Sequence, residues 1–163
     1  MKKVVTLMLV LTVLFSLMGC TAPFEAEKKD FTLKELTITL TEAFDSEIDD
    51  EGDMSCSASD VVVYIIREDL YGTRWEGETF SEYSQENRLM AAEYYDVSEM
   101  KEVDGITYFE FNDEFLFTEY RYMITMYQAT DNVFFIIEFS CPSKEYETYY
   151  PYFLESAKTV KFN

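Results

Sequence analysis

Residues 133–139 read VFFIIEF, with apolar side chains at odd and even positions alike. In a strand, successive side chains point to opposite faces. Val133, Phe135, Ile137 and Phe139 then share one face, and Phe134 and Ile136 occupy the other. A strand of this kind is covered on both sides.

The neighbouring blocks supply further strands. Leu36, Ile38 and Leu40 alternate with Thr37, Thr39 and Thr41, the pattern of a half-buried strand. Phe44 closes this block, and residues 45–60 are polar and acidic and read as a long loop. Val61–Ile66, VVVYII, is a β-branched run suited to a central strand. Glu99–Val103 and Ile106–Phe111 flank Asp104-Gly105, a strong tight-turn pair. Tyr120, Tyr122, Ile124 and Met126 form another alternating face, and Asp131-Asn132 turns the chain into the two-sided strand. Val160 and Phe162 suit a short terminal strand or a packed tail.

Two segments have helical spacing. Thr79 stands three residues before Glu82, a capping-box spacing, and Phe80, Tyr83, Met90, Ala91 and Tyr94 follow at helical intervals. A helix over about 80–95 is expected, although Asn87 interrupts its apolar stripe. Ser143 can cap a second helix carrying Tyr146, Tyr150, Phe153, Leu154 and Ala157. Pro151 either kinks that helix or starts it afresh. Hairpin strands broken by two helices give an α+β class: an antiparallel sheet of about five to six strands with two helices packed on it.

The patterns KELTITLTEAF, VDGITYFEF, NVFFIIEF and LESAKTVKF, in that order, resemble the PsbP-like fold over about residues 31–163. That family includes extrinsic photosystem proteins, a Ran-binding nuclear-import factor and many small bacterial lipoproteins. The resemblance implies a non-catalytic module that binds or docks on another molecule. It transfers no functional residue.

The N-terminus bears on location. Met1-Lys2-Lys3 precedes an apolar run from Val4 to Met18, the pattern of an export signal. The run is short for a membrane span, which needs about 20 apolar residues. Leu17, Met18, Gly19 and Cys20 resemble a lipobox, the processing motif of bacterial lipoproteins. The chemistry of that motif calls for a thiol to accept the lipid, a small residue before the cut and a branched apolar residue upstream. Cys20, Gly19 and Leu17 fill those roles; Met18 is a less usual occupant of the remaining position. Acyl chains contribute about 0.8 kcal/mol per buried CH₂, so two or more hold a protein on a bilayer. The expected organisation is a signal peptide over 1–19, a lipidated cysteine and tether over 20–30, and one domain over 31–163. The expected location is extracytoplasmic, with the membrane itself a partner through the anchor.

Charge narrows the partners. The chain has 13 basic and 32 acidic residues and a net charge of −19. Removing residues 1–19 takes Lys2 and Lys3 with it and leaves 11 against 32, a net charge of −21. Nucleic acid is a poor partner for such a surface, whereas cations or a basic protein suit it. The chain has no histidine, which removes Ser-His-Asp and Cys-His catalysis and the common zinc ligand set. No catalytic residue is assigned, and the protein is not expected to be an enzyme.

Several residues remain as candidates. With Cys20 lipidated, Cys56 and Cys141 are an even pair that either form a disulfide or remain separate thiols. Asp45, Glu47, Asp49, Glu51 and Asp53 crowd one loop and suggest a weak calcium site. An EF-hand count from Glu47 puts Gly52 at position six but Ala58 at twelve, and no helix enters the loop, so only a looser site fits. Trp75, the only tryptophan, adjoins Arg74 between Gly72 and Gly77, and both residue types are enriched at binding hot spots. Packing onto the core edge is the alternative for Trp75. Tyr120, Tyr122, Tyr146 and Tyr150 fit core packing. Glu110, Asp113, Glu114 and Glu119 fall where a solvated connecting loop would put them. The expected activity is docking of an envelope protein by a membrane-anchored lipoprotein, or, as the alternative, binding of a cation or small ligand by the loop 45–53.

Overall fold

The computed structural model describes residues 26–163. Leu17, Gly19 and Cys20, and with them the signal and lipidation expectations, lie outside the described residues.

The described residues form ten strands and two α-helices. The strands are β1 (Lys28–Leu33), β2 (Leu36–Thr41), β3 (Asp45–Ile48), β4 (Met54–Ala58), β5 (Val61–Asp69), β6 (Lys101–Val103), β7 (Ile106–Phe115), β8 (Thr118–Thr130), β9 (Val133–Pro142) and β10 (Lys161–Phe162). Helix α1 spans Phe80–Ala91 and α2 spans Tyr146–Ala157. The class is α+β, as expected, but the sheet content is larger. Seven strands make one antiparallel sheet in the order β3-β4-β5-β9-β8-β7-β6, and β1, β2 and β10 make a separate three-stranded sheet. The difference arises at both ends of the acidic segment. Residues 45–60, expected as a loop, form the hairpin β3–β4, whose edge strand β3 is wholly exposed and so lacks an apolar alternation to betray it. Lys28, Lys29 and Asp30, expected in the tether, pair with Thr41, Leu40 and Thr39.

Strand β9 lies between β5 and β8 and is covered on both faces. On its inner face, Phe135, Ile137, Phe139 and Cys141 join a core completed by the small sheet and α2, including Leu36, Ile38, Leu40 and Phe153. On its outer face, Phe134 and Ile136 join a second cluster with Tyr83, Phe109, Ile124 and Met126. Burying an aliphatic or aromatic side chain contributes about 1.5–3 kcal/mol, so the doubly covered β9 is the main anchor of the fold.

Helix α1 begins as its sequence indicates. Thr79 Oγ1 accepts from the Glu82 backbone N–H and the Glu82 carboxylate accepts from the Thr79 N–H, a complete capping box contributing about 1 kcal/mol. The helix stops at Ala91, short of the expected 95, and Tyr94 lies exposed beyond it. Helix α2 differs from expectation at its start. Ser143 opens a 3-10 turn over Ser143–Glu145, and its buried hydroxyl has no hydrogen-bond partner, so it is not the cap. Pro151 lies within an uninterrupted α2, on its exposed side, where the carbonyl that loses its N–H partner is accessible to solvent.

Cys56 and Cys141 are both buried free thiols. Cys56 on β4 pairs with Val63, which pairs with Phe139, two residues from Cys141 on β9. Two inter-strand spacings of about 4.8 Å separate the strands, beyond the roughly 7 Å between Cα atoms that a disulfide tolerates. The bridge is therefore excluded by register. Burial pushes both thiols up to about 12.

Candidate functional site

The outer face of the large sheet is only half covered. Helix α1 lies over one end, where Tyr83 and Phe134 rings approach to 4.5 Å and the Tyr83 hydroxyl donates to Glu68. Beyond it on that face, Val62, Tyr64, Phe111, Tyr122 and Glu138 are half-buried, with Phe109, Ile124 and Ser140 buried between them. Register sets its side chains in rows: Val62, Ser140, Tyr122 and Phe111 lie side by side, and Tyr64, Glu138, Ile124 and Phe109 form the next row. The outward positions of β3–β5 and β7–β9 include Asp45, Glu47, Glu68, Glu138 and Asp113, and no lysine or arginine.

A three-ring stack crosses this open half. Tyr95 stacks on Phe111 at 4.5 Å, and Phe111 on Tyr122 at 4.8 Å with the rings 7° from parallel. Two troughs meet at Tyr122 and Glu138. One, of about 380 Å³, is lined by Met90, Tyr95 and Phe111, and the other, of about 330 Å³, by Tyr64, Phe115 and Tyr120. Burial pushes the Glu138 carboxyl above its usual value, and no hydrogen bond or ion pair joins it to any of the described residues. Burial likewise raises Tyr122, with Asp113 and Glu138 adding to the effect.

The second trough ends at the β7–β8 hairpin, which is the most unusual surface feature of the molecule. Phe115 pairs with Thr118, so Leu116 and Phe117 alone make the turn. Both take positive φ, 48° and 67°. Two-residue hairpin turns of this geometry favour Asn-Gly, because side chains with a Cβ are strained there. Here the turn is apolar and open to solvent, with Phe115 64%, Leu116 75% and Phe117 96% exposed. Backbone strain of this kind concentrates at functional sites. Asp113, Glu114 and Glu119 flank the tip. Those acids are expected around a connecting loop, and the FLF between them carries a signal of its own: an apolar pair at a position where turn chemistry demands Asn or Gly.

Glu110, grouped with those acids, is not solvated. It is 5% exposed and points to the inner side of the sheet. Its carboxylate accepts from Lys101 Nζ at 2.5 Å, Arg121 at 2.7 Å and the Tyr146 hydroxyl at 2.6 Å. The Arg121 guanidinium also lies 4.4 Å from the Tyr146 ring centre. Burial pushes Glu110 up, but the hydrogen bonds from Lys101, Tyr146 and Arg121 outweigh it and hold the carboxyl below its usual value. One carboxylate locking two cations braces β6, β7, β8 and α2 together. All its partners are fixed, so it has no spare group for acid–base work.

The remaining expected site residues do not converge. Among the described residues no group of three or more acidic or cysteine side chains is placed to hold a metal ion. Asp45 and Glu47 lie on β3, whereas Asp49 turns inward on its own loop. Its Oδ1 accepts from the Glu51, Gly52 and Asp53 N–H groups, and its Oδ2 from the Tyr64 hydroxyl at 2.6 Å. Asp53 accepts from the Arg67 N–H. The acidic run is thus a hairpin turn that uses its carboxylates as structural acceptors. Trp75 packs against the outer cluster, and Arg74 covers it at 4.0 Å from the ring centre. Of the four tyrosines expected in the core, Tyr146 is buried there, Tyr150 packs at its edge, and Tyr120 and Tyr122 line the open troughs.

No protein-family model and no curated protein sequence matches the chain. Solved structures do. The solution structure of cyanobacterial PsbP (CyanoP) from Synechocystis matches with a TM-score of 0.56 at 10% identity, over 91% of this chain and 99% of that one. A crystal structure from Bacteroides thetaiotaomicron matches with a TM-score of 0.56 at 15% identity, over 84% of this chain and 49% of that one, so this chain spans about half its length. At these identities the likeness is one of fold, and the fold is PsbP-like.

Proposed function

We propose that the protein is a lipid-anchored, extracytoplasmic, non-catalytic module that docks one envelope protein through the Phe115–Phe117 hairpin and the open sheet face beside it. The observation that carries this reading is the tip itself: three exposed apolar residues held at the end of a two-stranded ribbon, two of them in strained backbone. Strained backbone clusters at functional sites, and here it coincides with apolar side chains turned to solvent, which supports an external partner for the tip. The partner surface that fits is an apolar pocket with a basic rim, because Glu114 and Glu119 flank the tip and the chain carries a net charge of −19. The same charge disfavours insertion of the tip into an anionic bilayer, whose surface repels acidic segments. The anchor reading rests on Leu17, Gly19 and Cys20 in the sequence.

A photoreactive residue at position 117 in intact cells is expected to capture a single protein, and one at Glu147, on the solvent side of α2, is expected not to. Equal and diffuse capture at both positions would remove the docking reading. For the anchor, Cys20→Ala is expected to leave the chain unprocessed and without lipid, as read by its mass. Normal processing of that variant would show that the lipobox reading is mistaken.

A further inference from the structure

We infer that the trough centred on Glu138 and Tyr122 is a binding site for an alkylammonium group, the side chain of a lysine presented by the docked protein. The inference rests on the docking reading and names what that face recognises.

The open carboxylate is the first ground. Glu110 and Glu68, on strands of the same sheet, have their partners within the chain: two cations and Tyr146 for the former, Tyr83 for the latter. Glu138 is set into the sheet between Tyr64 and Ile124 and has none among the described residues. A half-buried carboxylate without a counter-charge is destabilising unless something supplies one.

The walls determine what can supply it. Tyr122, Phe111 and Tyr95 present a continuous π surface on one side of Glu138, and Tyr64, Tyr120 and Phe115 line the other. Aromatic faces attract organic cations, and an apolar stem packs along them while its charged head meets the carboxylate. An ammonium brings three donors to an acceptor-only group. A metal ion suits the site poorly, since calcium needs six to eight oxygens and no three acidic side chains among the described residues converge to hold one. The outward strand positions add Asp45, Glu47 and Asp113 and no competing lysine or arginine; off the strands, Arg74 lies over Trp75 and reaches Met90 at the far wall of the first trough, so the strand half of the face is the part that favours a cation.

The shape points to a protein-borne cation. The troughs are open along the sheet surface rather than closed around a small molecule, and Phe115 belongs both to the second trough and to the hairpin tip. A protein seated on the tip and extending along the second trough reaches Glu138.

The test is calorimetric titration of the full lipidated chain in neutral detergent micelles, at one low ionic strength, with an acetylated and amidated Gly-Lys-Gly-Lys-Gly peptide. Glu138→Gln is expected to weaken binding by at least about tenfold, whereas Glu147→Gln, which removes the same charge elsewhere, leaves it within about twofold. The peptide with norleucine in place of lysine is expected not to bind. Equal losses in the two variants, or no binding of the lysine peptide, would overturn the site. Free n-butylammonium binding as tightly as the peptide would overturn the protein-borne occupant. Unfolding of the Glu138→Gln variant at or above the wild-type temperature confirms that it folds. Leu116→Asn with Phe117→Gly removes the tip and is expected to leave peptide binding intact, so that the docking reading and this one fail separately.

Discussion

Replacing Glu110 with alanine is expected to lower the unfolding free energy by about 3 kcal/mol. Removing one partner of a buried ion pair costs roughly 3–5 kcal/mol because the other charge is left without compensation. Lys101 and Arg121 are 41% and 34% exposed at their side chains, so water recovers part of that loss. The Tyr146 hydroxyl, buried beneath them, recovers little. The effect depends on pH in a defined direction. Burial raises the Glu110 carboxyl, but Lys101, Tyr146 and Arg121 together hold it below its usual value of 4.5. A carboxyl whose folded pKa is depressed stabilises the fold above its unfolded pKa, and that contribution is lost as pH falls through the folded one. Urea unfolding of wild type and Glu110→Ala from neutral to acid pH should therefore show a difference that is full at pH 7 and shrinks below about pH 4.5. A difference under about 1 kcal/mol at pH 7 would mean that the cluster behaves as a surface pair.

The second large effect has the opposite sign. Leu116→Asn with Phe117→Gly is expected to stabilise the isolated protein by about 1–2 kcal/mol while abolishing partner capture. Each non-glycine residue at positive φ carries of order 1 kcal/mol of strain or more. Asn-Gly is the pair this turn geometry accepts without strain. Glycine gives back about 0.5–1 kcal/mol through the entropy of the unfolded chain. Little burial is lost, since Leu116 and Phe117 are 75% and 96% exposed. A gain in stability together with a loss of binding separates a functional surface from a structural one, because a core contact would lose both. A destabilised variant would show that the hairpin tip packs against its own domain.

Legibility of this molecule in its sequence follows burial. The two-faced run at β9, the Thr-alternating β2, the Asp104-Gly105 turn and the Thr79–Glu82 capping box each combine a local preference with a burial requirement, and each is present in the fold, although β2 is not half-buried as expected: Thr37 and Thr41 are buried along with its leucines and isoleucine. Strand β3 was not legible because none of its four residues is buried; pairing with β4 alone makes it a strand. The separation of β1, β2 and β10 into their own sheet depends on contacts between residues far apart in the chain, such as Lys161 with Thr37, which no local pattern records. The acidic loop showed its charge but not its hydrogen bonds, so Asp49 read as a ligand although it closes its own turn. Glu110 was missed for the complementary reason: its acidic neighbours are exposed, and its inward direction is set by alternation on β7 against Tyr146 of a distant helix. Glu138 could have been noticed as the one charge within VFFIIEFS. Its meaning depends on finding that no cation faces it.

The central claim, that the chain docks one envelope protein through the Phe115–Phe117 tip, is tested most directly by partner capture with matched variants. Wild type, Leu116→Asn/Phe117→Gly and Trp75→Ala, each with a C-terminal tag, are cross-linked in intact cells and purified. The account predicts one stoichiometric partner with wild type, the same partner with Trp75→Ala wherever that variant remains folded, and its loss with the tip variant at equal protein level. Retention of the partner by the tip variant would contradict the account.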